Sequence, residues 1–218
     1  GYIGVPTCGG PCFTSWRVWP SVESREPLRH DSFPIPVYDN IRIRRCRRSQ
    51  GETWRGYQSS KKRYFYGVKI HLLVTARGQP VECFLTPGAE SDTTALKQYA
   101  LDLPEGSTLT GDKAYNDYDY EDLLREAGVN LIPLRKTNSK RPLEPAVPYL
   151  MARARKAVET TGSLIERFLP KHIHSVTPAG FELKVTLFIL ACSLRSCLEK
   201  RNQVKSMTPL IFQQFPPG

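Results

Sequence analysis

The chain has 218 residues, 40% hydrophobic and 24% charged, with a formal net charge of +10 and a sequence pI near 9.4. That composition is ordinary for a globular protein and argues against an unstructured polymer, and the length supports one sizeable core, alone or with an appendage. The longest apolar stretch, near Val185 to Leu194, is too short to cross a bilayer and is flanked by charge, so a membrane role is not expected.

The charge is unevenly placed. Residues 41 to 63 hold nine Lys/Arg against Glu52 alone, and residues 135 to 156 hold seven against Glu144. Between them, residues 82 to 126 hold eleven acids against Lys97, Lys113 and Arg125. Two basic blocks around an acidic middle suit a polyanion held beside a cation-binding carboxylate site; solvated loops are the plainer reading. The six cysteines follow no repeating frame. Cys8 and Cys12, and Cys192 and Cys197, lack the partner pair a zinc site needs, so they read as reduced thiols of a cytosolic protein. Nothing resembles a signal peptide. The first residue is Gly rather than Met, which is read as a processed, engineered or truncated start.

Residues 1 to 27, rich in Gly, Pro, Cys and Trp, lack helical or strand periodicity and are expected to form an irregular arm. From Asp31 the run Ser-Phe-Pro-Ile-Pro-Val-Tyr38 is extended, because each proline biases its predecessor toward β or polyproline geometry. The basic run Arg42 to Arg48 and the segment Gly51 to Ser60 are expected to be loop. Tyr64 to Val74 alternates as a strand: Tyr64, Tyr66, Val68, Ile70 and Leu72 share one face, and Phe65, Lys69, His71 and Leu73 the other. Gly78-Gln-Pro80 turns the chain into a second strand, Val81 to Leu85.

Ser91 or Asp92 caps a predicted helix through Ala95, Leu96 and Tyr99. A strand at Ser107 to Gly111 follows, then a helix through Tyr120 to Ala127 closed by Gly128, and a strand at Val129 to Leu134. After a basic, Pro-rich loop over 135 to 148 come a long helix, about Tyr149 to Leu169, and an apolar one, about Ala179 to Lys200. The expected architecture is one α/β domain over 28–200 with a mixed sheet, followed by a frayed tail over 201–218.

Three acids have contexts that bring them together. Asp112 ends a strand behind Gly111, the position in an α/β sheet where catalytic groups collect. Asp31 lies on the first extended segment. Glu159 lies on the long helix, with Arg155 and Lys156 four and three residues before it on the same face. Phosphodiester chemistry by two divalent ions roughly 4 Å apart needs such carboxylates from different elements, and Mg²⁺ or Mn²⁺ suits their hard oxygens. From spacing alone, an ordinary intrahelical ion pair is the favoured reading of Arg155 and Glu159. Val158, Ile165, Phe168 and Leu169 would press this helix to the sheet.

Asp31-Ser-Phe-Pro-Ile-Pro-Val, Lys61-Lys-Arg-Tyr-Phe-Tyr-Gly-Val-Lys-Ile-His71, Gly111-Asp-Lys-Ala-Tyr115, Arg155-Lys-Ala-Val-Glu-Thr-Thr161 and Leu183 to Leu194 resemble bacterial insertion-sequence transposases of the DDE type. The resemblance runs from about residue 31 to 197. It implies an RNase H-like, retroviral-integrase-like fold, a mixed five-stranded sheet of three antiparallel and two parallel strands with helices on both faces. It also implies two Mg²⁺ or Mn²⁺ ions, cleavage of transposon-end DNA and strand transfer. The implied triad is Asp31, Asp112 and Glu159, serving as both catalytic residues and metal ligands. The implied partners are double-stranded DNA at transposon ends and target, and a second copy of the chain; the location is the bacterial cytoplasm at the nucleoid.

Candidate DNA contacts are Arg44, Arg45, Arg47, Lys61, Lys62, Arg63, Lys113, Arg155 and Lys156. Lys69 and His71 are less committed: Lys69 would reach DNA, while His71 reads better as packing. Trp54 reads as a loop anchor before a stacking platform. The approach to Asp31, Arg25-Glu-Pro-Leu-Arg-His, is polar and Pro-broken where the family carries apolar residues. Residues 1 to 27 do not resemble the family's N-terminal helical region. Both departures suggest an N-terminally truncated or decayed copy with a poorly placed Asp31. The alternatives are therefore a catalytically dead remnant that only binds DNA, or a related nuclease of the same fold.

Overall fold

The period-two pattern around Tyr64 becomes the longest hairpin arm of the fold in a computed structural model, which describes residues 15–17, 27–39, 51–98, 103–170, 173–175, 177, 179–195 and 198. In chain order the strands are β1 (Ser15–Arg17), β2 (Leu28–Asp39), β3 (Arg55–Gln58), β4 (Arg63–Val74), β5 (Pro80–Pro87), β6 (Thr108–Gly111) and β7 (Asn130–Pro133). The helices are α1 (Asp92–Gln98), α2 (Tyr118–Glu126), α3 (Ala146–Phe168) and α4 over 179–195. No described helix is long and apolar enough to cross a membrane.

The strands form one mixed sheet in the order β1-β5-β4-β2-β6-β7, with β3 added to β4. Its centre is the expected five-stranded pattern: β5, β4 and β2 antiparallel, then β6 and β7 parallel to β2. Two strands go beyond that expectation. Ser15–Arg17, inside the segment read as an irregular arm, pairs with Glu82 to Phe84. Arg55–Gln58, read as loop, pairs with Arg63 to Tyr66. Four residues are too few to reveal a period, and this strand is held by particular contacts. The Tyr57 and Tyr64 rings lie 5.0 Å apart, and the Arg55 guanidinium stacks 4.3 Å from Tyr64. Gly67 sits where β5 and β3 meet along one edge of β4; its carbonyl accepts from Gly88 N at 2.9 Å. A Cβ there would come within 2.2 Å of the Ile35 carbonyl, so only glycine fits. Trp54, half-buried, packs on the adjoining core as a loop anchor.

Alternation along the strands sends side chains into two separate cores. Ile35, Val68, Ile70, Leu72, Val74 and Leu85 pack under Val158 and Ile165 of α3 and Phe181, Val185 and Ile189 of α4. On the opposite face Leu28, Leu73, Leu109 and Leu131 pack against Leu96 of α1 and Tyr120 and Leu124 of α2. Phe168 does not press α3 to the sheet as expected: it is 44% exposed, with the Arg195 guanidinium 4.7 Å from its ring.

The first strand corrects the expectation of a damaged approach to Asp31. β2 begins at Leu28 and is paired on both edges there, Leu28 with Leu109 and Arg29 with both Thr110 and Val74. Leu28 is fully buried and His30 is 3% exposed. His30 fills an apolar slot, with ring centroids 4.8 Å from Tyr115 and 6.0 Å from Phe84. Burial holds its pKa down near 3, so at neutral pH it packs as an uncharged ring where an aliphatic residue would serve. Pro34 and Pro36 lie beyond the short β6 pairing, where no described strand pairs with that edge of β2 and a missing N–H is tolerated.

Part of the second basic block is spent internally. Arg135 Nη1 and Nη2 donate to the buried Glu121 carboxylate at 2.6 and 2.8 Å, and Arg141 does the same to Asp122 at 2.8 and 2.7 Å. These forks tie the 135–141 loop to α2, so those two arginines are not free cations for an external polyanion.

Candidate active site

Strand order brings the first two acids to one edge of the sheet. Leu28 stands opposite Leu109 and Arg29 opposite Thr110 in the parallel β2–β6 pair. The ladder stops there; Asp31 lies two residues further along β2, and Asp112 directly follows the end of β6. Asp31 shares its face with Arg29, Phe33 and Ile35, the face that α3 covers. Gly111 lets the Tyr115 ring fold back over the strand end: a Cβ at Gly111 would lie 2.7 Å from it. Asp112 leaves the strand there and caps the one-turn helix Lys113–Tyr115, its Oδ1 accepting from Lys113 N at 2.7 Å.

Helix α3 brings the third acid. Val158 is buried against the sheet and Gly162 stands over the Phe33 ring, so Glu159, next to Val158, emerges at the rim. Thr161 Oγ1 donates to the Gly78 carbonyl at 2.8 Å and fixes the helix to the β4–β5 turn. Arg155 joins the acids. Its Nε lies 2.7 Å from Glu159 Oε1 and its Nη1 3.4 Å from Asp112 Oδ1. The expected intrahelical pair is therefore present, and a second contact converts it into a bridge across the site. The i,i+4 spacing revealed only the first half, because Asp112 is 43 positions away in sequence from Arg155. Asp31, Asp112, Leu134, Met151, Arg155 and Val158 are among the residues lining a small cleft of about 20 Å³.

Asp31 has the most strained electrostatics. Burial is the main reason its pKa rises to about 6; the charges of Asp112 and Glu159 push the same way. The Ser32 N–H, 2.9 Å from Oδ1, and Arg155 oppose the rise. Among the described residues no group of three or more His, Cys, Asp or Glu stands in metal-holding geometry. The donor set nevertheless suits a hard divalent cation. Asp31 and Asp112 line one cleft, Glu159 stands at its rim, and the positive charge that touches two of the three is Arg155. A cation there would offset both the burial and the like charges that raise Asp31.

The buried charge of Asp31 gives a stability prediction. For a carboxyl raised from about 4 to about 6, the native state holds more protons than the unfolded chain across that window. Stability therefore falls as pH rises from 4 to 6 and stays lower above it. Asp31→Asn removes the buried charge. In urea melts without divalent ions it should exceed wild type by up to about 3 kcal/mol at pH 7.5, with the gap closing toward pH 4. An equal gap at both pH values would refute the charge as its cause.

The other sequence candidates separate. Arg44, Arg45 and Arg47 lie outside the described residues. Lys61, Lys62 and Arg63 are exposed at the start of β4, where Lys61 and Arg63 line a cleft of about 840 Å³ with His174 and Lys184. Lys113 and Lys156 are exposed near the acids. Lys69 does not reach outward: its Nζ donates to the Glu90 carbonyl at 2.6 Å. His71 is fully buried with Nε2 2.9 Å from Thr86 Oγ1, a packing residue as read.

Residues 26–194 match the family described as the transposase DDE domain. Among solved structures the fold is similar to that in a cryo-EM structure of the piggyBac transposase synaptic complex with hairpin DNA. That likeness has a TM-score of 0.50 at 9% identity and covers 81% of this chain. The chain spans about half of that protein, 48% of its length. No curated protein matches the sequence.

Proposed function

Since the chain belongs to the transposase DDE domain family, we propose that it carries the catalytic core of a DNA transposase, with Asp31, Asp112 and Glu159 as its acids. The observation that supports this reading is Arg155, whose guanidinium contacts both Asp112 and Glu159 beside a cleft that Asp31 also lines.

The three carboxylates would hold Mg²⁺ or Mn²⁺, which supplies activation of the attacking water or 3′-hydroxyl and neutralisation of the leaving oxygen. The chain's own groups do the rest. Asp31, raised near 6, must be ionised to serve, so activity should fall as pH drops below that value. Arg155 satisfies Asp112 and Glu159 when the site is empty of substrate, and its fork is free to turn to a DNA phosphate once another cation takes its place. Lys113 and Lys156 flank the site as further phosphate contacts. Lys61 lines a cleft with Ile35 and Val37 of β2, about 20 Å along that strand from Asp31, a distance one duplex spans, and Lys62 is exposed beside it. On this reading a second copy of the chain joins when two transposon ends are brought together, in the cytoplasm where the DNA lies.

Incubating the full chain with supercoiled plasmid carrying candidate ends, with and without Mg²⁺ or Mn²⁺, tests the proposal. Metal-dependent nicking followed by joined products supports a transposase. Nicking without joining would leave a nuclease of the same fold, and salt-sensitive binding with no cleavage a DNA-binding remnant. Replacing Lys61 and Lys62 with Ala should weaken binding to any sequence and reduce the slope of log K against log salt by about 2. An unchanged slope would place DNA elsewhere on the surface.

A further inference from the structure

The ladder between β2 and β6 ends at Arg29 and Thr110, two residues short of both aspartates. Something else has to hold those acids side by side against their mutual repulsion. The short helix α1 is tied to both from the reverse face of the sheet. Ser32 follows Asp31 and so points to the opposite face, where its Oγ donates to Asp92 Oδ1 at 2.9 Å. Lys69, paired with Pro34 across the β2–β4 ladder, holds the same Asp92 oxygen at 3.4 Å and the Glu90 carbonyl at 2.6 Å. One residue on, Thr93 Oγ1 donates to the Ala114 carbonyl at 2.6 Å, two residues past Asp112.

The far end of α1 fastens the same turn. Lys97 Nζ lies 2.5 Å from Asp117, whose side chain caps α2, and Tyr120 Oη donates to the Leu96 carbonyl at 2.9 Å. One helical turn therefore touches the residue after Asp31 and the residue two past Asp112. Lys69 and Asp92 side chains are only 17% and 25% exposed, so this pair does not exchange freely with water. The lysine that the sequence suggested for DNA is thereby accounted for.

Resting on the proposed carboxylate site, we propose that Asp92 and Thr93 are positioning residues that set the separation of Asp31 and Asp112 from behind the sheet. They touch neither DNA nor metal; they act through Ser32 and Ala114. Groups that hydrogen-bond metal ligands directly change metal affinity by about 10- to 100-fold when lost; Asp92 and Thr93 act one step further out, so their effect falls at or below the lower end of that range.

The test is Mn²⁺ titration calorimetry on the full chain, beside thermal melting, for wild type, Thr93→Val, Thr93→Ser, Asp92→Ala and Asp112→Asn. Valine keeps the volume of threonine and removes the donor; serine keeps the donor. Thr93→Val and Asp92→Ala should each weaken Mn²⁺ binding by about five- to tenfold, with Thr93→Ser within about twofold of wild type. Melting of the two Thr93 variants should agree to within a few degrees. Wild-type affinity in Thr93→Val and Asp92→Ala, with loss in Asp112→Asn, would overturn the positioning role and leave the carboxylate site standing. Equal weakening in Thr93→Val and Thr93→Ser would also overturn it, since the donor would then be irrelevant. Unchanged Mn²⁺ binding in Asp112→Asn would overturn the metal site itself, and the inference with it.

Discussion

Asp112→Asn should lower Mg²⁺-dependent nicking of plasmid DNA by on the order of 10³-fold, about 4 kcal/mol of transition-state stabilisation, while leaving DNA binding without divalent ions unchanged. The substitution keeps the side-chain shape and the oxygen that caps the Lys113 turn, so the backbone there has no reason to move. It removes a negative charge from the acid that shares a cleft with Asp31 and touches Arg155. At 36% exposure the Asp112 carboxylate is solvated enough that its ion pair with Arg155 adds little to stability, so melting should barely change. Parallel reactions across pH 5 to 8 sharpen the test. Wild type should lose activity at acid pH, where a proton on Asp31 competes with the cation, and the midpoint should move below 6 as Mg²⁺ is raised. Nicking by Asp112→Asn at the wild-type rate would place the chemistry on other residues and remove Asp112 from the proposed site.

The three acids differ in how plainly the sequence marks their positions. Asp112 is readable because Gly111 and the turn residues after it mark a strand end. Glu159 is readable because helical spacing puts Arg155 and Lys156 on its face. Asp31 is the misleading one: Leu-Arg-His reads as polar, yet the burial of a neutral His30 among Phe84, His71 and Tyr115 makes it behave as core. No one-residue property reports that, because the neighbours that keep the ring uncharged come from β4, β5 and the turn after β6. Charge patterning has the same limit. Arg135 and Arg141 count toward a basic block until Glu121 and Asp122, 14 and 19 residues away, claim them. Arg155 bridges acids that no local pattern joins. Periodicity recovers long strands such as β4 and misses β3, whose four residues are held by ring contacts and a glycine joint. Local chemistry thus exposes element types and the sheet-edge acids; which charges cancel is decided by the fold.

The same His30 should make the fold acid-labile. Its native pKa lies near 3 through burial alone, and that of His71 is also lowered, by burial and by His30 and Lys69 nearby. Free histidine in the unfolded chain titrates near 6.5. Between pH 6.5 and 3 the unfolded state therefore binds more protons, and stability rises with pH throughout that range. For His30 the loss reaches about 3 kcal/mol at pH 4 and about 5 kcal/mol at pH 3, a large share of a typical domain's stability. The ring gains nothing polar in return: His30 Nδ1 and Nε2 find no hydrogen-bond partner among the described residues. His30→Leu replaces it with an apolar side chain of similar bulk. It forfeits the edge-on contact with Tyr115, worth about 1 kcal/mol, and removes two unpaired buried nitrogens, each costing about as much or more. At pH 7 the variant should match or slightly exceed wild type in urea melts; at pH 4 it should be the more stable by about 3 kcal/mol, because only wild type pays for keeping the imidazole neutral. Asp31 works in the opposite sense across pH 4 to 6, so comparing His30→Leu with wild type at each pH isolates the histidine. Wild type and variant losing stability in parallel from pH 7 to 4 would mean that His30 is not held neutral in the core, and the strand leading to Asp31 would then need another account of its burial.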